Sequence, residues 1–326
     1  MKLYIAAGYA GSKVSKTFLI QYKVKEEENT LISDFEVDPC GFLRVYPSPS
    51  PDYLNDYYSS DYYQNPHGTY ESNYSKEELS HKDIRNTFLE RIISESFKVE
   101  KSSLSMLDIG CGEGFFLDKF HRNSWDITGL DFSSFGVEKF NTHLLGNLIT
   151  GDIYSSLNTL ISENRIFDFL NLGNVLEHVL DPRQLLRMLM QIMHEHSTIL
   201  ITVPNDFSIL QRFLKEKAII ESDYWVTVPD HLNYFSEKSL LNLVEEIGFE
   251  ELGSYADFPI EWFLFNSHSN YVDNPLLGKQ AHLSRVAIDS LITSNEDFEA
   301  VKNFWSALSK IGQGRTISVL CKKGKP

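Results

Sequence analysis

The chain is poor in cysteine and lacks long apolar runs, and each scarcity argues against a class of protein. The 326 residues include only three cysteines, Cys40, Cys111 and Cys321, whose wide spacing and odd number argue against a disulfide framework. No apolar run reaches the roughly 20 residues that a membrane helix needs. Residues 1–12 lack the length and the cleavage pattern of a secretory signal. We therefore expect a soluble, cytoplasmic protein.

Basic residues are scarce as well. Lys and Arg number 30 against 45 Asp and Glu, which gives a formal net charge of −15. Because contacts to a phosphate backbone need clustered Lys and Arg, this balance disfavours nucleic acid as a substrate. Hydrophobic residues, at 42%, are abundant enough for the core of one large domain or two small ones. Aromatic residues reach 13%, and such rings often line pockets for small amphipathic ligands, although we expect most of them in the core.

The hydrophobic pattern divides the chain into three zones. Residues 1–75 are irregular and strand-like, with strand candidates at 17–24 and 42–45. Residues 76–250 alternate helical and strand patterns, which is typical of βαβ units. This zone therefore predicts an α/β protein with a doubly wound, mostly parallel sheet. Residues 251–326 hold two helical patterns and a final strand.

Within the middle zone, the periodicity of apolar residues sets the predicted elements. The predicted helices span 76–97, 114–122, 133–143, 182–194 and 236–248. The predicted strands span 104–109, 126–130, 147–150, 166–172 and 197–203. Residues 205–235 break this rhythm and are interpreted as an insertion with one short helix.

A glycine-rich turn follows the first predicted strand of the middle zone. Three glycines occupy alternate positions: Gly110, Gly112 and Gly114. A strand, a glycine turn and a helix in succession bring backbone close to a ligand, because glycine adopts positive φ and has no side chain to block the approach. The carboxylates of Asp108 and Glu113 would repel a pyrophosphate, and the spacing differs from the dinucleotide fingerprint. The turn suits a ligand with a cationic group.

Residues 106–114, Met-Leu-Asp-Ile-Gly-Cys-Gly-Glu-Gly, resemble the first motif of class I S-adenosylmethionine-dependent methyltransferases. The resemblance implies a Rossmann-like fold with a seven-stranded sheet, and S-adenosylmethionine as the cofactor, held by the zone 76–250. It also implies a late hairpin that adds an antiparallel strand to the sheet. We assign that hairpin to 250–255 and 316–322, with helices at 279–293 and 296–310 inserted between its strands.

Further positions fit the same cofactor. Asp131 ends the second strand, where an acid can accept hydrogen bonds from ribose hydroxyls, although it could instead cap the following helix. By the resemblance, Asp152 bonds the adenine amino group and Ile153 lies against the ring, while Asn174 and Leu176 lie near the methyl-transfer centre. The full predicted cofactor set is Asp108, Gly110, Cys111, Gly112, Gly114, Asp131, Phe132, Asp152, Ile153, Asn174, Leu176 and Tyr63.

Two histidines are candidates for the catalytic base, because imidazole titrates near neutral pH. His178 follows Glu177 in a segment, 167–182, that resembles the fourth motif of the family and a branch containing ubiquinone-pathway O-methyltransferases and sugar methyltransferases. Its alternative role is structural, at the start of the next helix. His231 follows Asp230, which could orient its ring as a carboxylate does in a triad. Both histidines would serve an oxygen or a carbon acceptor.

The segment 40–63 resembles the lead-in of methyltransferases of bacterial polysaccharide and deoxysugar biosynthesis. Many of those carry a zinc knuckle of two C-x-x-C pairs, but here only Cys40 is present, so we predict no zinc and no other metal. A tyrosine group could close over the cofactor as a lid or simply pack on the core: Tyr57, Tyr58, Tyr62 and Tyr63.

The leading prediction is methyl transfer to a hydroxyl of a sugar or glycan intermediate. Deoxysugar C-methyltransferases carry Tyr-x-Glu-His where this chain has Val-Pro-Asp-His at 228–231, which favours oxygen over carbon. A sugar C- or N-methyltransferase and a quinone-type O-methyltransferase are the alternatives. A non-catalytic binding protein of the same fold is a further alternative. The expected partner is a small, carbohydrate-like acceptor, and a homodimer is left open.

Overall fold

The computed structural model describes residues 20–23, 32–50, 73–97 and 104–324. The predicted tyrosine group, with Tyr63 of the cofactor set, lies outside these residues. Two sheets organise the described part of the chain, one of seven strands and one of four.

The larger sheet confirms the predicted fold class. Its strands in chain order are β4 (Ser105–Ile109), β5 (Asp126–Asp131), β6 (Leu148–Thr150), β7 (Phe167–Gly173), β8 (Met193–Pro204), β10 (Phe249–Ala256) and β11 (Thr316–Lys323). They lie in the order β6-β5-β4-β7-β8-β11-β10, and the first five are parallel. β11 runs antiparallel to both β8 and β10, as the predicted late hairpin requires.

Helices pack around this sheet. They are α1 (Lys76–Ser96), α2 (Phe115–Arg122), α3 (Phe135–Phe140), α4 (Ile153–Ser162), α5 (Pro182–Gln191), α6 (Ile209–Glu216), α7 (Glu237–Ile247), α8 (Gly278–Thr293) and α9 (Phe298–Lys310). The central strand β7 is buried along nearly its whole length, as parallel strands covered by helices are. None of the described helices is long and apolar enough to cross a lipid bilayer.

Several predicted boundaries are wrong. The helix predicted at 133–143 stops at Phe140, and a 3₁₀ turn, Thr142–Asn147, replaces its last part. The helix α4 was not predicted, because the sequence after Gly151 was interpreted only as a cofactor contact. The helix predicted at 182–194 ends at Gln191. The next strand begins directly afterwards at Met193, since pairing with β7 extends it further than its own apolar run indicates.

The smaller sheet combines three N-terminal strands with a short strand from the middle of the chain. Its strands are β1 (Ile20–Lys23), β2 (Ile32–Val37), β3 (Leu43–Tyr46) and β9 (Asn233–Tyr234), in that order and all antiparallel. Phe35, Val45 and Tyr234 are buried in a second hydrophobic cluster together with Leu214 and Trp225. The N-terminal strands therefore complete their core with residues of the insertion that follows β8.

An ion-pair network fastens the small sheet to the larger one. Arg183 of α5 makes two 2.7 Å hydrogen bonds to Asp38 and bonds of 2.8 and 2.9 Å to Glu246 of α7. The Cys40 thiol donates to Glu246 at 2.9 Å and lies 3.2 Å from Arg183. Burial, with the hydrogen bond to Glu246, raises the pKa of Cys40 to about 12. Cys40 is thus part of a structural junction.

Candidate active site

The glycine loop follows β4 at the carboxyl edge of the sheet. Gly110, Gly112 and Gly114 have φ values of 70°, 55° and 76°, which lie in the left-handed region that favours glycine. A Cβ on Gly110 would lie only 2.4 Å from Cγ2 of Val175. The loop therefore requires glycine both for its backbone conformation and for the close approach of the segment after β7.

Asp131, at the end of β5, holds the loop in place. Its carboxylate accepts hydrogen bonds from the backbone N–H groups of Gly112 at 2.8 Å and Ser133 at 3.0 Å. The side chain is 4% exposed. Because each carboxylate oxygen has two lone pairs, these bonds leave acceptor capacity for the hydroxyls of a ribose. The capping and the ligand-binding interpretations of Asp131 are therefore compatible.

The acids around the loop carry crowded negative charge. Asp108 is 2% exposed and accepts a 2.7 Å hydrogen bond from Asn171. Burial, reinforced by the charge of Asp131, raises the pKa of Asp108 to about 7. Burial also raises the pKa of Asp131, and the charge of Glu113 adds to that shift. A cationic ligand would relieve this repulsion, so the site fits the sulfonium and amino groups of S-adenosylmethionine.

Tyr74 is a neighbour of the loop that the sequence did not predict. Its hydroxyl donates to Glu113 at 2.7 Å, and its ring packs on Phe115 and Phe140 at 5.8 and 5.3 Å between centroids. The residue directly precedes Ser75, the N-cap of α1, and that capping box is the local signal for its position. Tyr74 therefore closes one side of the glycine loop.

The remaining predicted cofactor residues differ in exposure. Asp152 is exposed and caps α4 by accepting from the Ser155 N–H at 2.8 Å, and Ile153 is half-buried. Phe132 is 42% exposed. Cys111, by contrast, is buried in the main core. Their contacts with the cofactor stay predictions.

The segment after β7 carries the last two residues of that set. Asn174 is exposed, with a φ of 53°, and its N–H donates to the Thr202 carbonyl at 2.8 Å. Leu176 is fully buried, so its side chain is a core contact. The backbone at Asn174 therefore turns sharply and carries the chain away from the sheet towards His178.

The two candidate histidines lie together. The rings of His178 and His231 are 4.9 Å apart between centroids and nearly perpendicular, at 80°. Nδ1 of His178 is 2.7 Å from the carbonyl oxygen of Asp230 and 3.3 Å from its Oδ1. Oδ2 of Asp230 lies 3.9 Å from Nε2 of His231. The carboxylate of Asp230 thus lies within reach of both rings.

Glu177 lies beneath these rings, and its role was not predicted beyond a place at the start of the following helix. Its side chain is 1% exposed, and its Oε1 lies 3.9 Å from Nε2 of His178. Burial raises the pKa of Glu177. Burial alone would lower the pKa of His178, but the hydrogen bond to Asp230 and the charge of Glu177 raise it to about 9. We call Glu177, His178, Asp230 and His231 the acceptor-side cluster.

Asp206 and Arg315 support this cluster from behind. Oδ2 of Asp206 is 3.6 Å from Nδ1 of His231, and its Oδ1 accepts a 2.7 Å hydrogen bond from Arg315. Burial would raise the pKa of Asp206, but the charges of Arg315 and His231 hold it below its usual value. The sequence did not indicate this pair, because the two residues meet only through the pairing of β8 with β11.

Backbone bonds fix the cluster next to the glycine loop. The carbonyl of Glu177 accepts from the N–H groups of Leu232 at 2.7 Å and Asn233 at 3.0 Å. The Asn233 side chain donates to the carbonyls on either side, at Leu176 and Val179. Since Val175 of the same segment touches Gly110, the cluster adjoins the predicted cofactor site.

Comparison with curated proteins identifies two relatives of similar sequence identity to this chain. They are the ubiquinone biosynthesis O-methyltransferases of Pelagibacter ubique (strain HTCC1062) and Vibrio parahaemolyticus serotype O3:K6 (strain RIMD 2210633), 23% and 24% identical over 158 residues. Each match covers 45% of this chain, and they cover 63% and 64% of the relatives. The chain thus spans somewhat less than two thirds of the length of the relatives that it matches.

Solved structures give weaker likenesses. A SAM dependent methyltransferase from Archaeoglobus fulgidus is 18% identical, with a TM-score of 0.46 over 74% of this chain and 94% of that one. A putative sarcosine dimethylglycine methyltransferase from Galdieria sulphuraria is 15% identical, with a TM-score of 0.45 over 74% and 85%.

A family model described as a methyltransferase domain matches residues 81–252. This range is more than half of the chain, and it contains the glycine loop, Asp131 and the acceptor-side cluster. The match agrees with the strand order of the larger sheet and with the acidic surroundings of the loop. The protein therefore belongs to the class I S-adenosylmethionine-dependent methyltransferases, and S-adenosylmethionine is its cofactor.

Proposed function

We propose that the protein transfers the methyl group to the hydroxyl oxygen of a small-molecule acceptor. S-adenosylmethionine supplies a methyl group that its positive sulfur already activates. The protein must therefore align the acceptor and receive one proton. The observation that carries the proposal is the pair of imidazoles, His178 and His231, 4.9 Å apart after the carboxyl end of β7 and beside the glycine loop.

The acceptor-side cluster provides the groups that this proton transfer needs. Asp230 lies within 4 Å of both rings, and Asp206 lies behind His231 with Arg315 holding its far oxygen. A carboxylate behind an imidazole fixes the orientation of the ring and stabilises its charged form. Asp206 lies 3.6 Å from Nδ1 of His231, and Asp230, the predicted partner, lies 3.9 Å from its Nε2. An amine acceptor would not require this arrangement, since it reacts once it is neutral.

Two classes of hydroxyl are candidates for the acceptor. An aromatic hydroxyl, as in a quinol, is favoured by the two relatives of ubiquinone biosynthesis. The phenol of a tyrosine side chain has a pKa of about 10. An imidazole–carboxylate cluster can therefore assist the ionisation of such a hydroxyl. A sugar hydroxyl is the second candidate, supported by the resemblance of 40–63 to methyltransferases of polysaccharide biosynthesis. A sugar hydroxyl is less acidic than a phenol, so its deprotonation requires a stronger base.

The direct test is a methyl-transfer assay with labelled S-adenosylmethionine. Catechols and quinols form one acceptor panel, and nucleotide sugars with glycan fragments form the other. We expect transfer to oxygen, and a fall in kcat of about 100-fold or more in His231→Gln, because a general base contributes that much. Binding of S-adenosylhomocysteine should stay unchanged in this variant.

His194→Gln is the matched control. This histidine also pairs with a carboxylate, Asp168 at 2.9 Å, but it lies at the beginning of β8, away from the carboxyl edge of the sheet. The kcat of His194→Gln should equal that of wild type. Transfer to nitrogen or carbon, or full activity in His231→Gln, would contradict the proposal. Binding of S-adenosylhomocysteine without transfer to either panel would favour the non-catalytic binding protein.

A further inference from the structure

The acceptor-side cluster also has the composition of a metal site, although the sequence alone predicts none. Glu177, His178 and His231 each offer one ligand atom, and these atoms lie within 4.8 Å of one another. We propose that these three side chains bind a divalent transition-metal cation of the zinc type. The binding itself is independent of the proposed function, whereas the part that the cation plays in the reaction rests on it.

The carboxylate of Glu177 is the main reason for this proposal. It is 1% exposed, and neither of its oxygens has a hydrogen-bond partner among the described residues. Nδ1 of His231 is likewise buried without a hydrogen-bond partner in this part of the chain. Burying a carboxylate without donors is costly, and such groups in native proteins are usually paired or coordinate metals. A cation between Glu177 and the two rings would remove that cost.

The spacing of the three side chains is close to what one ion requires. Atoms bound to the same zinc ion at about 2.0 to 2.2 Å are roughly 3.3 to 3.6 Å apart in a tetrahedral site. Oε1 of Glu177 and Nε2 of His178 are 3.9 Å apart, so a shift of a few tenths of an ångström would bring them into place. The rings are 4.9 Å apart between centroids and nearly perpendicular, so they can approach one ion from two sides.

The surroundings of the rings match those of metal-binding histidines. Such a histidine usually bonds a carboxylate or a carbonyl through its other ring nitrogen, which fixes the ring. Here the carbonyl of Asp230 lies 2.7 Å from Nδ1 of His178. Asp206 lies 3.6 Å from Nδ1 of His231 and is itself held by Arg315. His178 therefore already has such an outer partner, and a shift of a few tenths of an ångström would give His231 one in Asp206.

The ligand set selects the class of cation. Two imidazoles and one carboxylate suit zinc and its first-row neighbours, whereas magnesium and calcium favour oxygen ligands throughout. The side chains of His178 and His231 keep 16% and 14% of their surface exposed. Three protein ligands with one open side are typical of a catalytic, rather than a structural, metal site.

The open side gives the cation its part in the reaction. The hydroxyl oxygen of the acceptor binds the cation, which lowers the pKa of that hydroxyl. With His178 and His231 engaged as ligands, the carboxylate of Asp230, which stays free of the metal, takes the place of an imidazole as the base and receives the proton. The oxygen then forms the new bond to the methyl carbon, and the sulfur of the donor keeps the electron pair of the broken bond and becomes a neutral thioether.

The experiment begins with the full-length protein freed of metal by a chelator. Zn²⁺ binding is measured by calorimetry, and Co²⁺ binding by its visible absorption, in wild type, Glu177→Gln and His231→Gln. We expect one ion per chain in wild type and affinity lower by about 100-fold or more in both variants, since even outer partners of a metal site contribute 10- to 100-fold. His194→Gln is the control and should bind like wild type. Unchanged binding of S-adenosylhomocysteine shows that each variant is folded.

The outcomes separate this inference from the proposed function. Absence of Zn²⁺ and Co²⁺ binding in wild type, equal affinity in Glu177→Gln, or binding of Mg²⁺ alone overturns the metal site. Full methyl transfer in protein that the chelator has stripped overturns the part of the cation in the reaction and leaves the proposed function intact. Metal binding that is lost in both variants, without transfer to any hydroxyl, supports the site and contradicts the proposed function.

Discussion

Asp108 lies beneath the glycine loop, and its buried carboxyl couples the stability of the fold to pH. Burial raises the pKa of this group to about 7 in the folded protein, from an ordinary value of 3.8. The stabilisation that its proton provides is therefore fully present below pH 3.8 and is lost as the pH rises through 7. We expect the contribution of Asp108 to the free energy of unfolding to fall by about 1.4 kcal/mol between pH 6 and pH 8.

Chemical denaturation at these two values of pH measures this effect. Asp108→Asn cannot titrate and should lack this component of the pH dependence, whereas Asp126→Asn, an exposed carboxylate at the beginning of β5, should retain it. The same pH dependence in wild type and Asp108→Asn would contradict the assignment.

Asp131 is the residue on which cofactor binding most depends. We expect Asp131→Ala to weaken the binding of S-adenosylhomocysteine by about 100-fold or more, because hydrogen bonds to a charged group contribute about 1.5 to 3 kcal/mol each. The substitution also removes the acceptor of the Gly112 N–H, so the loop loses its support. Calorimetric titration measures the change.

Asp152→Asn is the comparison for this variant. Asp152 is exposed and makes one capping bond, so we expect a loss of about tenfold at most. Equal affinity in wild type and Asp131→Ala would show that Asp131 only caps the turn after β5.

At the scale of elements, the contact between α3 and the glycine loop is the closest backbone approach near the site. A Cβ on Gly136 would lie 2.6 Å from the carbonyl oxygen of Gly112. Gly136→Ala must therefore push α3 away from the loop. We expect a loss of about 1 to 3 kcal/mol in the free energy of unfolding and weaker binding of S-adenosylhomocysteine.

Gly146→Ala is the matched control for this prediction, because nothing lies within 4 Å of its added Cβ. It should leave stability unchanged or raise it by about 0.4 to 1 kcal/mol, since alanine restricts the unfolded chain. Equal effects of the two substitutions on cofactor binding would contradict the importance of the α3 contact.

Elements with local signals were predicted from the sequence, and elements defined by distant pairing were not. The helix α7 has Ser236 as its N-cap and Gly248, with a φ of 103°, at its end, as predicted. The two-residue strand β9 has no such signal, since Asn233 and Tyr234 become a strand only through pairing with β3. The strand β2 was not predicted either, because its apolar residues Ile32, Phe35 and Val37 do not alternate strictly. Its partners β1 and β3 lie in the same irregular N-terminal zone.

In the candidate site, too, residues with local sequence signals were predicted, and residues that depend on distant contacts were not. The glycine loop and Asp131 lie in one short stretch with a characteristic spacing, and the two histidines could be named from their residue type and position. The sequence could not indicate that Glu177 is buried beside the two rings without hydrogen bonds among the described residues, because its burial depends on the return of the chain at Leu232. Arg315 reaches Asp206 only by way of the last strand of the sheet.

At the scale of the whole molecule, Arg183 joins the small sheet to the helices of the larger one. Its guanidinium bonds Asp38 and Glu246 in two pairs of short contacts, and its side chain is 16% exposed. Because Glu246 is partly exposed, we expect Arg183→Met to cost about 2 kcal/mol of unfolding free energy, less than a fully buried pair. Arg122→Met, which removes exposed ion pairs on α2, should change stability by about 0.5 kcal/mol or less.

The thiol of Cys40 reports whether this junction opens. Cys40 is buried and its pKa is raised to about 12, so it should react slowly with a thiol reagent in wild type. Loss of the Arg183 charge alone would raise that pKa further and slow the reaction. Faster labelling of Cys40 in Arg183→Met would therefore measure detachment of the small sheet. Slower or unchanged labelling would contradict the role of Arg183 as the fastening residue.

The strand β9 determines when, during synthesis on the ribosome, the small sheet can be completed. β1, β2 and β3 emerge first, but the free edge of β3 has no partner until Tyr234 has been translated. Phe35 and Val45 must also wait for Leu214 and Trp225 to close their core. Five strands of the larger sheet, β4 to β8, are made in that interval. Meanwhile the unpaired edge of β3 invites association with other chains. Nascent chains that stall before residue 234 should therefore be the ones that most need protection by a chaperone.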